Sequence, residues 1–393
     1  MSITLYGLFA KILSSLLPVK EKCWIFGADY GRMYREGSRY LFEYMIKEHP
    51  DYNCTFITRS KDVKKRLDEN RLPCELNFSI RGMIKIAQAE YAFTTQMPND
   101  ILFVFKKKNR KFIYLCHGQP YKAVFKATPK DYYNKNRKKN LSILERILIS
   151  PMSRFFSSGY NYWDSLFYVS TSDFLVPYNK KYFGDNVTVL TLGMPRNDIL
   201  FDEIKIKNER WLPNLENKTI ITYMPTHRNY GKGKIPPIPF INNKNVIEWL
   251  RRNNVVLLIK QHPNMKMIIE GSSHVDVIVD ISNMKFDPQV CLYHSDALIT
   301  DYSSVWIDYL ILQRPLLFYY VDDYEKNDVG VLYDIKEEPP GPICYSENDL
   351  FVEIQKIKLN YDDMRPSDRI VSKYHKYKDG NSCKRVFDAI TNR

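Results

Sequence analysis

From residue 22 onward, short runs of apolar and β-branched residues alternate with longer stretches in which apolar residues recur every three or four positions. That is the pattern of parallel strands each followed by a covering helix. In the first half it predicts strands at Cys23–Phe26, Thr55–Thr58, Tyr91–Thr94, Phe112–Leu115, Phe167–Ser170 and Val187–Leu190. Helices are expected between them at Gly37–Lys47, Lys61–Glu69 and Ser79–Ala89. Residues 193–215 interrupt the alternation with Gly193, Pro195, Pro213 and a charged stretch, as a passage between domains does. A second series follows, with strands at Thr219–Tyr223, Val255–Ile259, Val275–Val279, Ala297–Thr300 and Leu316–Tyr319 and helices near Asn245–Arg252, Pro288–His294 and Ser303–Leu312. Tyr230–Pro239, holding two glycines and three prolines, has the composition of a surface loop. The predicted fold class is therefore α/β, with two Rossmann-like domains at 21–192 and 193–372 and a helical tail at 373–393.

The first twenty residues follow a different rule. Leu5, Leu8, Phe9, Ile12, Leu13, Leu16 and Leu17 form one helical stripe, and Gly7, Lys11, Ser14 and Ser15 fall on the other face. A lysine in mid-helix and a polar face make it a poor bilayer span, and no small-residue cleavage site follows. Two readings stay open: an interfacial helix lying on the inner leaflet, or a helix docked on the protein's own surface.

Composition narrows the class. The 393 residues carry a formal net charge of +13, so the partners are anionic: a nucleic acid, an anionic membrane surface or a phosphorylated substrate. Seven scattered cysteines without C-x-x-C or zinc-type spacing argue for reduced thiols in a cytosolic protein and against a disulfide framework. Residues 122–165 combine Lys122, Lys126, Lys130, Lys135, Arg137, Lys138 and Lys139 with Phe155, Phe156, Tyr160, Tyr162 and Trp163. Cations interleaved with rings suit a membrane interface, and an ordinary solvated face is the alternative. No nucleic-acid recognition motif accompanies them.

Four polar clusters sit at predicted strand exits, and a fifth lies in the passage between the predicted domains. Thr300-Asp301-Tyr302-Ser303-Ser304 ends a strand and opens a helix, so free amides, two hydroxyls and the positive helix end converge on a spot suited to phosphate; plain helix capping is the alternative. Lys260-Gln261-His262-Pro263 holds His262 extended before a proline, and Pro225-Thr226-His227-Arg228 presents a planar guanidinium that fits phosphate bidentately or makes a surface ion pair. In Gly193-Met194-Pro195-Arg196-Asn197-Asp198, Arg196 and Asn197 either line a cleft or fasten the hinge. Cys116-His117-Gly118-Gln119-Pro120-Tyr121-Lys122 projects His117 from a tight turn, where a neutral imidazole can take a proton from an attacking hydroxyl.

In order along the chain, His117–Lys122, Gly193–Asp198, Pro225–Arg228, Lys260–Pro263, Thr300–Ser304, Pro315–Tyr319 and Pro340-Gly341-Pro342 resemble the motifs of the CDP-glycerol:glycerophosphotransferase family, the teichoic acid primases and polymerases. The resemblance covers most of residues 22–360. It implies two Rossmann-like domains facing across a cleft (GT-B type) and transfer of glycerol phosphate from CDP-glycerol to a hydroxyl on a polyprenyl-diphosphate-linked glycan. It further implies release of CMP at the cytoplasmic face of a bacterial membrane, in teichoic acid or capsule synthesis. His117 and His262 are implied as the catalytic histidines, His117 being the base. Gly118, Lys122, Arg196, Asn197, Thr226, Arg228, Thr300, Asp301, Ser303 and Ser304 are implied as the substrate- and donor-binding set. No cofactor, metal or nucleic acid is implied. Gln119, Tyr121 and His227 depart from the commonest family pattern and leave acceptor and polyol open. The missing long N-terminal extension of the large polymerases predicts a primase-like or capsule enzyme. The rivals are a CDP-ribitol-using enzyme or a sugar transferase on the same fold, and a non-catalytic membrane-associated binding protein.

Overall fold

A computed structural model describes residues 3–96, 99–102, 105, 107–128, 166–209, 211, 215, 217–226, 238–261, 276–284, 287–321 and 329–392. The chain divides into two compact units. The first comprises Met1–His117, Tyr133–Asp198 and Asp379–Arg393, and the second Gly118–Tyr132 and Ile199–Lys378.

The first unit is built on a seven-stranded sheet in the order β3-β2-β1-β4-β5-β6-β7. Its strands are β1 (Cys23–Phe26), β2 (Asn53–Thr58), β3 (Cys74–Leu76), β4 (Tyr91–Thr94), β5 (Lys111–Tyr114), β6 (Leu166–Ser170) and β7 (Thr188–Thr191). Every pairing is parallel, which explains the nearly unbroken apolar runs: both faces are covered. The helices α2 (Glu36–Glu48), α3 (Lys61–Glu69), α4 (Ile80–Gln88) and α5 (Val176–Phe183) supply cover. Ser60 and Ser79 cap α3 and α4 by accepting hydrogen bonds from Val63 N and Gly82 N. Gly82 has no substitute, because a Cβ there would lie 2.0 Å from the Leu76 carbonyl oxygen.

The helix α1 (Ile3–Leu16) docks on α4, but by a different face from the one its stripe suggests. Small residues make the contact: Gly7, Ala10 and Ser14 are buried, with Met83, Tyr6, Leu13 and Phe78 packed around them. Gly7 and Ser14, expected on the polar face, are thus interior, because only small side chains let the helices approach. Four large side chains of the stripe are exposed, Leu8 at 47%, Phe9 at 39%, Ile12 at 46% and Leu16 at 73%, while Leu13 and Leu17 are half-buried.

The second unit carries a six-stranded sheet in the order β10-β9-β8-β11-β12-β13. Its strands are β8 (Thr219–Met224), β9 (Val255–Ile259), β10 (Ile278–Asp280), β11 (Ala297–Thr300), β12 (Leu316–Tyr319) and β13 (Ile343–Cys344), again all parallel. Its helices include α6 (Glu203–Lys207), α7 (Lys244–Arg252), α8 (Pro288–Tyr293), α9 (Val305–Leu310), α10 (Glu347–Leu359) and α11 (Asp368–Tyr374). A contiguous core runs from Ile221 and Tyr223 through the strands to Leu350, Ile354 and Ile357 of α10. The segment after His117 belongs to this unit: Tyr121 packs edge-on against Trp306, and Lys122 forms an antiparallel bridge with Val331.

The last helix, α12 (Ser382–Thr391), returns to the first unit and packs on α2. The Asp198 carboxylate accepts from the Ser382 and Cys383 amides at 2.9 and 2.7 Å, and Phe387 stacks on His49 with ring centres 3.6 Å apart. Gly193, at φ +81°, is required here, since a Cβ would fall 2.5 Å from Ser382 Oγ. The turn expected as a hinge therefore anchors the tail. All seven cysteines are free and buried. Among the described residues no helix is long and apolar enough to cross a membrane. The insertion at 122–165 lies outside the described residues from 129 onward.

Candidate functional site

In a doubly wound sheet, ligands bind beyond the carboxyl ends of the strands, where the strand order reverses. In the first unit this is the edge where β1 and β4 lie side by side, with β5 next to β4. Beyond β5, Leu115 and Cys116 are buried, and Cys116 takes φ +58°, a left-handed conformation that costs a branched or bulky residue about 1 kcal/mol or more. The bend brings the following residue, His117, back to solvent while Gly118 and Gln119 behind it are buried.

The His117 ring is held by its Nδ1, 3.4 Å from the Thr95 carbonyl oxygen. A carbonyl can only accept, so Nδ1 carries the proton and Nε2 is left with a lone pair. Crowding by protein disfavours the charged ring, but the neighbouring Cys116 and the Glu36 carboxylate outweigh it and hold the His117 pKa above its usual value. Arg196 pulls the other way.

Thr95 is fixed from within by Asp100. Asp100 Oδ2 accepts from Thr95 N at 2.6 Å, Gln96 N at 2.7 Å and Thr95 Oγ1 at 3.1 Å, and Oδ1 accepts from Tyr30 N at 2.6 Å. One carboxylate thus ties the loop after β1 to the loop after β4. Burial pushes its pKa up to about 6 against the pull of those donors.

Arg196 is buried. It is 4% exposed; its Nη1 donates to Glu36 Oε2 at 2.7 Å and also to the main-chain oxygen of His117. These bonds join Arg196 to the His117 turn. Asn197 is likewise buried. Glu36, Thr95 and Asp100 escaped the sequence reading. Glu36 begins a helix, where an acid is unremarkable, and 160 positions separate it from Arg196.

The matching edge of the second unit lies where β8 and β11 adjoin. Thr300 Oγ1 donates to the Met224 carbonyl at 2.7 Å, and Asp301 Oδ1 accepts from Thr226 N at 2.7 Å. Thr226, Thr300 and Asp301 are buried. Tyr302 stacks on Tyr320 with ring centres 4.3 Å apart, anchoring the turn. Ser303 and Ser304 remain half-exposed at the start of α9. Ser304 occupies the cap position with no side-chain cap bond, and Ser303 Oγ is 3.4 Å from Val305 N, so simple capping does not account for both hydroxyls. Gly118 is buried, and the backbone of Lys122 is used in its bridge. His227, Arg228 and His262 lie outside the described residues. Among the described residues no group of His, Cys, Asp and Glu could hold a metal ion.

Comparison with known proteins gives this geometry a context. The chain is 28% identical to the teichoic acid poly(glycerol phosphate) polymerase of Bacillus spizizenii, over 99% of this chain and 96% of that protein. It is 37% identical to the teichoic acid glycerol-phosphate primase of Bacillus subtilis over 54% of each chain. It is 25% identical to a teichoic acid ribitol-phosphate polymerase of Staphylococcus aureus, TarK, over 97% of this chain and 71% of that one. The chain spans 45% of the Bacillus subtilis poly(glycerol phosphate) polymerase and 51% of the Staphylococcus epidermidis one. Among solved structures, the wall teichoic acid polymerase TagF superimposes with a TM-score of 0.72 at 25% identity, over 99% of this chain and 92% of that one. A UDP-N-acetylglucosamine 2-epimerase from Listeria monocytogenes, at TM-score 0.51 and 13% identity over 94% and 95% of the two chains, shares the fold alone. The family model of CDP-glycerol:poly(glycerophosphate) glycerophosphotransferases matches residues 9–392, and the chain belongs to that family of polyol-phosphate transferases.

Proposed function

We propose that the protein transfers glycerol phosphate from CDP-glycerol to a hydroxyl of a lipid-linked glycan, releasing CMP, in the synthesis of a teichoic acid or capsule-type polymer. The observation that carries this reading is the His117 ring, whose Nδ1 faces the Thr95 carbonyl oxygen and so leaves Nε2 as the nitrogen that accepts a proton. The acceptor oxygen attacks the β-phosphorus of the donor, and its proton passes to His117 Nε2. The bond from that phosphorus to the bridging oxygen breaks, and CMP departs with the electron pair. In the second unit, Ser303, Ser304 and the amides at the start of α9 stabilise the diphosphate, with His262 and Arg228 assigned there by the family motif. Thr226, Thr300 and Asp301 shape that surface from beneath.

The reading extends to location. Leu8, Phe9, Ile12 and Leu16 present an exposed apolar row, on a chain of net charge +13. We assign the row to the headgroup–acyl boundary of an anionic membrane at its cytoplasmic face, where a lipid-linked acceptor would be found.

Mass spectrometry of a lipid-linked disaccharide incubated with the protein and CDP-glycerol, or CDP-ribitol, tests the proposal. A mass gain of one glycerol phosphate with stoichiometric CMP is the expected result. Gain of ribitol phosphate alone would transfer the reading to the second polyol, which the ribitol-phosphate relatives keep in view. Release of a nucleoside diphosphate from a nucleotide sugar would replace it with sugar transfer, and donor binding without CMP release with a non-catalytic role.

A further inference from the structure

We infer that Glu36 and Arg196 form a clamp that positions His117, and that Arg196 takes no substrate phosphate. The inference rests on the assignment of His117 as base and adds what holds that base in place.

Arg196 is buried with its Nη1 shared between a carboxylate and a carbonyl, Glu36 Oε2 at 2.7 Å and the His117 oxygen. A buried guanidinium paired in this way is fixed in plane and cannot swing out to an incoming anion without stranding Glu36. Glu36 is itself held unusually: it stands at φ +65° directly after an extended Arg35 at φ −163°. The left-handed turn lets α2 begin hard against the end of β5, where a Cβ on Gly37 would lie 3.2 Å from Leu115 Cβ. Cys116, at φ +58°, bends the other partner toward it. Two backbone distortions thus meet across one ion pair, and the pair joins the turn at 195–201 to the His117 loop.

The clamp works from the main-chain side while Thr95, braced by Asp100, holds the ring from the other. With carbonyl and Nδ1 both fixed, the direction of the Nε2 lone pair is set before substrate arrives. The titratable and charged groups acting on the ring are Cys116 in its own loop, Glu36 from α2 and Arg196 from the 195–201 turn. Removing the Glu36 charge while Arg196 remains therefore lowers the proton affinity of the ring.

The test uses the full chain as wild type and as Arg196→Lys, Glu36→Gln, Glu36→Asp and His117→Ala. CMP release gives kcat and KM, calorimetry gives CDP-glycerol affinity, and NMR of labelled histidine gives the His117 ring titration and tautomer. Arg196→Lys is expected to lower kcat roughly 10–100-fold, as a small misplacement of a reacting group does, with CDP-glycerol affinity nearly unchanged. Glu36→Gln should move the His117 titration, and the acid limb of the rate profile, to lower pH. Should Glu36→Gln fail to fold, Glu36→Asp keeps the charge but shortens the reach, and it should lower kcat while leaving the titration near its original position. Loss of CDP-glycerol affinity in Arg196→Lys with kcat intact would overturn the clamp, as would a ring titration and tautomer unaltered in all the clamp variants. Full turnover in His117→Ala would instead remove the base assignment. The ring titration would still report on the clamp, because it needs no catalysis.

Discussion

The two sheet edges solve one problem in related ways and differ in what they leave open. In each, a buried aspartate from the exit of the fourth strand in sequence receives a backbone N–H from the exit of the first. Asp100 takes Tyr30 N in one unit, and Asp301 takes Thr226 N in the other. The carboxylate ties two loops across the point where strand order reverses, the point at which a doubly wound sheet accommodates a ligand. The first unit spends further bonds on Thr95 and Gln96 and thereby aims one ring. The second leaves Ser304 at a helix start without a side-chain cap bond, beside Ser303. Under the proposed function, the first edge moves a proton and the second holds an anion.

The largest break of this comparison is at the aimed ring. His117→Ala should lower turnover by roughly 10²–10⁴-fold, the usual worth of a general base. CDP-glycerol affinity measured by calorimetry should scarcely change; near-normal CMP release would reduce His117 to a structural residue.

Next comes pH, which separates the two braces. The Asp100 pKa rises from 3.8 to about 6 on folding, so the folded state holds this proton more tightly between those values. The corresponding stability is fully present below about pH 4 and is lost as pH climbs through about 6, a change of about 3 kcal/mol from this group. Denaturant unfolding followed from pH 4 to 7 should show a decline in the first unit that Asp100→Asn flattens. An identical slope in both proteins would deny Asp100 that role.

The second edge can be divided into brace and surface. Asp301→Ala leaves Thr226 N–H buried without its acceptor and should destabilise the second unit by about 1–3 kcal/mol. Ser303→Ala with Ser304→Ala should leave the melting temperature in place and weaken CDP-glycerol binding roughly tenfold, the loss of one or two hydrogen bonds to a charged group. If the serine pair melted early and bound donor normally, the roles would be reversed.

The smallest effect concerns the outer face of α1. Replacing Leu8 and Ile12 by serine should reduce sedimentation with anionic vesicles while thermal stability stays within about 0.5 kcal/mol, because both residues are exposed. Unchanged sedimentation would exclude this row as a membrane contact.

Sequence patterning made the strands legible with little error: Cys23–Phe26, Val255–Ile259 and Ala297–Thr300 have their expected bounds. Three-residue β3 and two-residue β13 were too short for any period to show. His117 was legible because glycine and proline behind a strand announce a turn. The pairing of Arg196 with Glu36 was not, since a guanidinium suits phosphate and carboxylate equally and 160 positions separate the two. Thr300 and Asp301 look, in sequence, like neighbours of Ser303 and Ser304 in one polar cluster. The chain direction divides them, the first two turning inward beneath the loops and the last two outward. On α1 the helix itself was legible, but the face that packs on α4 was not, because close helix packing is governed by the smallest side chains.

The return of α12 has a consequence for how the protein comes to be assembled. Tyr91 donates to the Ile390 carbonyl across 299 positions of sequence, and Phe387 covers Trp24 and His49. A chain cut after Asp198 would leave an aromatic wall bare and the Asp198 carboxylate without its amides, so the first unit cannot be excised as a continuous piece. During synthesis it must also wait, unsealed, while the whole of the second unit emerges, a long loop to close and a slow step by chain topology.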